Sequence, residues 1–182
     1  MVIFIVLLFL RKRKESRLLY EKALLLAESP AMVRPMDLNE EPEELEIDEA
    51  GEEKNGQTEI HISDELSDKI SLGIKTELDE NQMYLKHDCN AAMISNQIGT
   101  NRTYLNQYCK QEYDATVSEV INNYRVKNIL EQLNADTVKR KWTIDKIAAE
   151  HGFSSKRTFE RAFKIRTGIT PAFYIRQLES DV

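Results

Sequence analysis

Two glycines constrain this chain more than any other feature. Gly99 and Gly152 each follow a small residue by four, Ser95 and Ala148, and each is followed by a polar cap and a second amphipathic run. Around Gly152 the pattern is fullest. Thr143 can cap a helix that begins at Ile144, its hydroxyl accepting a backbone N–H that the first turn leaves orphaned. Ile144, Ile147 and Ala148 then form one apolar face at helical spacing. Ala148 puts a small side chain where the next helix must come close, and Gly152 can take positive φ and turn the chain sharply. Ser154 or Ser155 caps a second helix whose Phe159, Ala162 and Phe163 face inward. Arg157, Arg161 and Lys164, at i, i+4 and i+7, share its outward face. Gly168 ends that helix, and Thr170-Pro171 opens another with proline at the first helical position.

Residues 90–111 repeat this plan. Ile94 and Ile98 supply the apolar face, and Asn101 is a fair cap. Tyr104, Leu105, Tyr108 and Cys109 turn inward, leaving Thr103, Asn106, Gln107 and Lys110 on the other face with Arg102 at its edge. Between the copies, Thr116 and Glu119 form a capping box that opens a helix running to about Asn134. Its apolar residues, from Val117 to Leu133, fall mostly on one side. Such a helix is about 28 Å long and can hold two units apart. Major-groove faces on one side of B-DNA recur at about 34 Å, so two helix-turn-helix units on this spacer can meet one duplex together. Asn and Gln can pair with adenine edges, and Thr can touch a thymine methyl.

With those residues in view, 63–178 resembles the C-terminal DNA-binding domain of AraC/XylS-type transcription regulators. The tail Phe163-Lys164, Gly168-Ile169-Thr170-Pro171 and Tyr174-Ile175-Arg176 is similar to that family's most specific signature. The resemblance implies an all-α fold of seven helices, with two helix-turn-helix units and a connecting helix. It implies that Thr103, Asn106, Gln107, Arg157 and Arg161 contact DNA bases. It implies that Arg102, Lys110, Lys156, Thr158 and Lys164 lie at or near the DNA backbone. The sequence departs from the family pattern where Gln107 replaces a frequent arginine, where Cys109 replaces a large apolar residue, and where Ile175 separates Tyr174 from Arg176.

The front of the chain has another character. Met1–Leu10 is wholly apolar and is followed by Arg11-Lys12-Arg13-Lys14. Ten residues cover about 15 Å as a helix, half of the roughly 30 Å hydrocarbon core. A secretory signal carries its charge before the apolar run, whereas here it follows. Residues 1–14 therefore read as the C-terminal part of a transmembrane helix plus a basic cluster. The positive-inside rule then puts the rest at the cytoplasmic face of the inner membrane. A short apolar end that merely associates with membrane or folds inward is the alternative. The tethered order resembles a group of regulators from Bacteroidetes-like bacteria. That likeness implies an upstream sensor part, with RNA polymerase as a further possible partner.

The net charge of −6 conceals an asymmetry: +4 over 1–14, −14 over 15–82 and +6 over 83–178. Residues 15–62 read as an acidic cytoplasmic linker, disordered where prolines and carboxylates crowd 29–60. It is a passive tether, or a polyanion competing with DNA for the basic faces. The leucine-rich stretch 17–28 continues the membrane helix or pairs with a partner. From Ser63 to the end, 63–182, runs the DNA-binding domain, opening on Leu66, Ile70, Ile74 and Leu78 at helical spacing.

Cys89 and Cys109 show no metal-ligand spacing with His61, His87 or His151 and read as free thiols. No P-loop, dinucleotide fingerprint or Gly-x-Ser-x-Gly occurs, and neither enzyme nor cofactor is expected. His151 reads as a helix-end residue favoured by the dipole, and Trp142 as a junction residue packed between the connecting helix and the second unit. Double-stranded DNA is the expected partner. The rival reading is a helical protein-interaction module of a membrane sensor that does not bind DNA.

Overall fold

The computed structural model describes residues 18, 20–26 and 62–180. The apolar Met1–Leu10, the basic cluster and most of the acidic stretch lie outside the described residues. Among those described, every regular element is helical. None is long and apolar enough to cross a membrane.

Helix α1 is described at residue 18 and at 20–26. It is followed by α2 (Asp64–Ile74), α3 (Ala91–Ile98), α4 (Arg102–Tyr113) and α5 (Val117–Ala135). Then come α6 (Ile144–Glu150), α7 (Lys156–Thr167) and α8 (Pro171–Ser180). The seven helices α2–α8 are the expected domain. The starts at Ser63, Asn101, Thr116, Thr143 and Ser155 lie where the sequence places them, and Asn90 is a further cap. Ser63, Asn90, Asn101, Thr116, Thr143 and Ser155 each accept a backbone N–H from the first turn. At α5 the box is reciprocal, with the Thr116 N–H donating to Glu119 Oε2 at 2.7 Å. Of the two serines, Ser155 is the cap of α7.

Both turns use positive φ, 69° at Gly99 and 80° at Gly152. A wide π-helical turn over Lys75–Glu80 and a tight 3-10 turn over Met83–Leu85 carry the chain from α2 to α3, burying Leu78, Met83 and Tyr84. The spacing announced the burial of Leu78 but not the turn that buries Met83 and Tyr84.

Two apolar clusters form, one per helix-turn-helix unit. The first gathers Ile70, Ile74, Ile94, Leu105, Tyr108 and both cysteines with Val117, Val120, Ile121 and Tyr124 of α5. The second gathers Ile147, Phe153, Phe159, Phe163 and Tyr174 with Val126, Ile129, Leu130 and Leu133 of α5, and half-buried Trp142 packs against it. α5 thus changes cluster after Tyr124. Residues 123–126 are all buried, so its middle is covered on every side rather than on one face as its spacing predicts. The reason is that its two ends serve cores lying in different directions.

The leucine-rich stretch pairs within the chain. Tyr20 and Ala23 are buried in the second cluster, with the Tyr20 ring 5.5 Å from that of Tyr174. The Tyr174 hydroxyl donates to Asn134 Oδ1 at 2.7 Å, joining α8 to the end of α5. Arg140 finishes the same corner. Its guanidinium donates to the carbonyls of Leu133, Asn134 and Leu178, occupying acceptors that the helix ends leave orphaned.

Candidate nucleic-acid interface

The second helix of the second unit, α7, separates its faces cleanly. Phe159 and Phe163 are fully buried and stack edge to face at 5.7 Å. Lys156, Arg157, Thr158, Arg161 and Lys164 are all exposed. Arg157 and Arg161 therefore project together from a helix held rigidly on its back. The basic residues are not all outward, since Arg166 is buried in the last turn, and burial lowers its pKa to about 10. Lys156 lies 3.9 Å from Asp145 of α6, and the Thr158 hydroxyl shares a hydrogen bond with Ser155 at 2.9 Å.

In α4, Leu105, Tyr108 and Cys109 are buried and Tyr104 is half-buried. Arg102, Thr103 and Lys110 are exposed, while Asn106 and Gln107 are half-buried, keeping part of their amides accessible. Lys110 forms an i,i+4 ion pair with Asp114 at 2.5 Å, and both partners are mostly solvated. Such a pair is weakly held and screened by salt, so it leaves the lysine available.

The units are joined by contacts the sequence did not announce. Arg125, at the crossover of α5, donates from Nε to the Tyr84 carbonyl at 2.7 Å and from Nη2 to the Lys86 carbonyl at 3.1 Å. Its guanidinium also lies 5.4 Å from the Phe153 ring centre, in the turn of the second unit. A Cβ on Gly152 would stand 2.8 Å from the Tyr84 carbonyl oxygen. The second turn therefore rests directly on the backbone that precedes the first unit. Beside this contact opens a cleft of about 360 Å³, lined by Arg102, His87, Asn122, Arg125, Ser154 and Thr158 among others, none of them acidic. It brings Arg102 of the first unit and Thr158 of the second to one place. The missed contributors, Arg125 and Asn122, lie in a helix read as a spacer, and their partners are distant backbone or each other.

His151 corrects an expectation. It is 4% exposed, and its Nδ1 lies 2.7 Å from the Ile147 carbonyl, so Nδ1 carries the proton and donates. Nε2 is buried without a partner. Burial lowers its pKa below the ordinary 6.5, so the ring is held neutral rather than favoured as a cation at the helix end. Stability should be full above about pH 6.5 and should fall as the pH drops toward the lower native value, because the unfolded chain takes up the proton first. Urea midpoints measured across the mildly acidic range should show this decline, and His151→Gln should flatten it.

Cys89 and Cys109 are free and buried. Burial raises both thiols, Cys109 to about 12, which makes them poor nucleophiles.

A protein-family model described as a helix-turn-helix domain matches residues 94–177. No curated protein matches the chain. Similar solved structures include the C-terminal domain of AraT, a response regulator from Geobacillus stearothermophilus. It is 19% identical, over 60% of this chain and 84% of that one, with a TM-score of 0.49. An AraC-type transcriptional regulator from Chromobacterium violaceum is 19% identical over 64% and 96%, with a TM-score of 0.49. ToxT from Vibrio cholerae O395 is 24% identical over 64% of this chain, which spans 41% of ToxT, with a TM-score of 0.45. Residues 94–177 thus match a helix-turn-helix domain, and the caps Asn101, Thr143 and Ser155 and the two glycine turns all lie within the matched segment.

Proposed function

We propose that this chain is a sequence-specific transcription regulator whose α4 and α7 enter two successive major-groove segments of one duplex. The observation that carries it is the presentation of Arg157 and Arg161 on the solvent face of α7, opposite fully buried Phe159 and Phe163. Arg157 and Arg161, with Thr103, Asn106 and Gln107 of α4, supply base readout. Arg102, Lys110, Lys156, Thr158 and Lys164 supply backbone contacts, releasing counterions as they bind. The apolar Met1–Leu10 and basic Arg11–Lys14 hold the chain at the cytoplasmic face of the inner membrane, where an upstream sensor part and RNA polymerase are its further partners.

Arg161→Ala is expected to cost about 1–3 kcal/mol on the preferred duplex and to relax preference at one base position. Equal losses on preferred and random duplexes, measured by fluorescence anisotropy, would reduce Arg161 to a phosphate contact. Affinity that stays constant between low and moderate salt would favour a protein-docking surface instead. Fractionation of the full-length gene product without detergent tests the tether, and recovery only in the soluble fraction would remove it.

A further inference from the structure

We propose that the cleft between the two helix-turn-helix units is a phosphate site that takes the DNA backbone where it crosses between the two major-groove segments. This rests on the reading of α4 and α7 as the DNA-facing helices. The cleft adjoins both faces: Arg102 opens α4 on one side, and Thr158 follows Arg157 on the other. A duplex that meets both helices must carry its sugar-phosphate strands past the space between them. The volume, about 360 Å³, lies in the range of roughly 300–1,000 Å³ that holds small ligand groups.

The chemistry of the walls selects an anion. In a chain of net charge −6, no Asp or Glu lines this cleft. Arg125 is 7% exposed, and its acceptors at Tyr84, Lys86 and Asn122 are two carbonyls and an amide oxygen, all neutral. Its positive charge is thus held in place without a carboxylate to cancel it. Arg102 is exposed and aligned on the same cavity, and Ser118, Asn122 and Thr158 bring hydroxyl and amide groups that can donate to phosphate oxygens. An uncancelled buried cation beside an exposed one, with neutral donors around them, fits an oxyanion better than a base edge or an apolar ligand.

The test uses the full chain and a duplex carrying both segments. Asn122→Asp keeps the oxygen that Arg125 Nη1 reaches at 3.3 Å and adds one negative charge inside the cleft. We expect affinity to fall about tenfold and the slope of log affinity against log salt to fall by about one, with base preference unchanged. Ser118→Asp, on the same wall, should act in the same direction, and a wild-type thermal midpoint for either variant shows that the fold survives. Replacing single central phosphates by neutral methylphosphonates should weaken wild-type binding at one or two positions and leave Asn122→Asp unaffected there. Variants that fold and bind with unaltered slope, or a wild-type chain indifferent to every central methylphosphonate, would overturn the site while leaving the functional reading intact. A wild-type chain that binds no duplex would overturn both. Saturable binding of inorganic phosphate alone, undisturbed by duplex, would reassign the cleft to a free anion and overturn the backbone assignment.

Discussion

Gly152→Ala is expected to destabilise the folded chain by about 2–5 kcal/mol, a large fraction of the roughly 5–15 kcal/mol that holds a domain folded. Two costs combine. Gly152 has φ of 80°, a conformation that costs an L side chain about 1–2 kcal/mol. The added Cβ would also stand 2.8 Å from the Tyr84 carbonyl oxygen and 2.9 Å from that of Leu85. Both obstacles are backbone, so neither can swing aside, and overpacking of this kind adds about 1–3 kcal/mol. Gly99 supplies the control. Its φ is 69°, but the nearest atom to an added Cβ is Lys69 Nζ at 3.3 Å, the far end of a flexible side chain. Gly99→Ala should therefore cost only the conformational part. Urea denaturation of the two variants gives the comparison directly, and equal losses would contradict the contact between the second turn and residues 84–85.

Arg125→Met is expected to cost about 3–5 kcal/mol and to separate the two units. Hydrogen bonds to a charged donor are worth about 1.5–3 kcal/mol each, and removing the guanidinium takes one donor from each carbonyl, although that of Lys86 keeps the Cys89 N–H at 3.1 Å. Methionine preserves most of the volume, so the loss measures the polar contacts rather than a void. Arg125→Lys should recover little, because one ammonium cannot reproduce a planar fork that reaches two carbonyls and faces the Phe153 ring. In binding, each unit keeps its own recognition helix, so base preferences should persist while affinity for a duplex carrying both segments drops. A single cooperative denaturation with wild-type affinity would show that α5 alone sets the spacing.

The parts legible in the sequence are those governed by neighbours a few residues apart. Thr116 with Glu119, Asn101, Thr143 and the positive-φ glycines each declare themselves within one turn of chain, and all lie where expected. Of the stripe Leu66, Ile70, Ile74 and Leu78, the last three are buried as the spacing implies and Leu66 is half-buried against the same cluster. The outward residues of α7 were readable for the same reason, since Phe159 and Phe163 fix which side is in. What was hidden depends on contacts distant in sequence. Nothing near Arg125 distinguishes it from a solvated arginine, since its carbonyl partners lie about forty residues upstream. His151 read as a helix-end residue favoured by the dipole because its burial comes from packing, not from its immediate sequence. The docking of Tyr20 and Ala23 on the second cluster was likewise invisible, as a leucine-rich helix fits many partners.

The unequal placement of three side chains makes the molecule self-reporting. Cys89 and Cys109 belong to the first cluster, and Trp142, the sole indole, packs only against the second. Alkylation of Cys109, 1% exposed, requires the first half to open, while indole emission follows the other half. One native sample, with no attached dye, can therefore tell whether the halves come apart in concert or in succession.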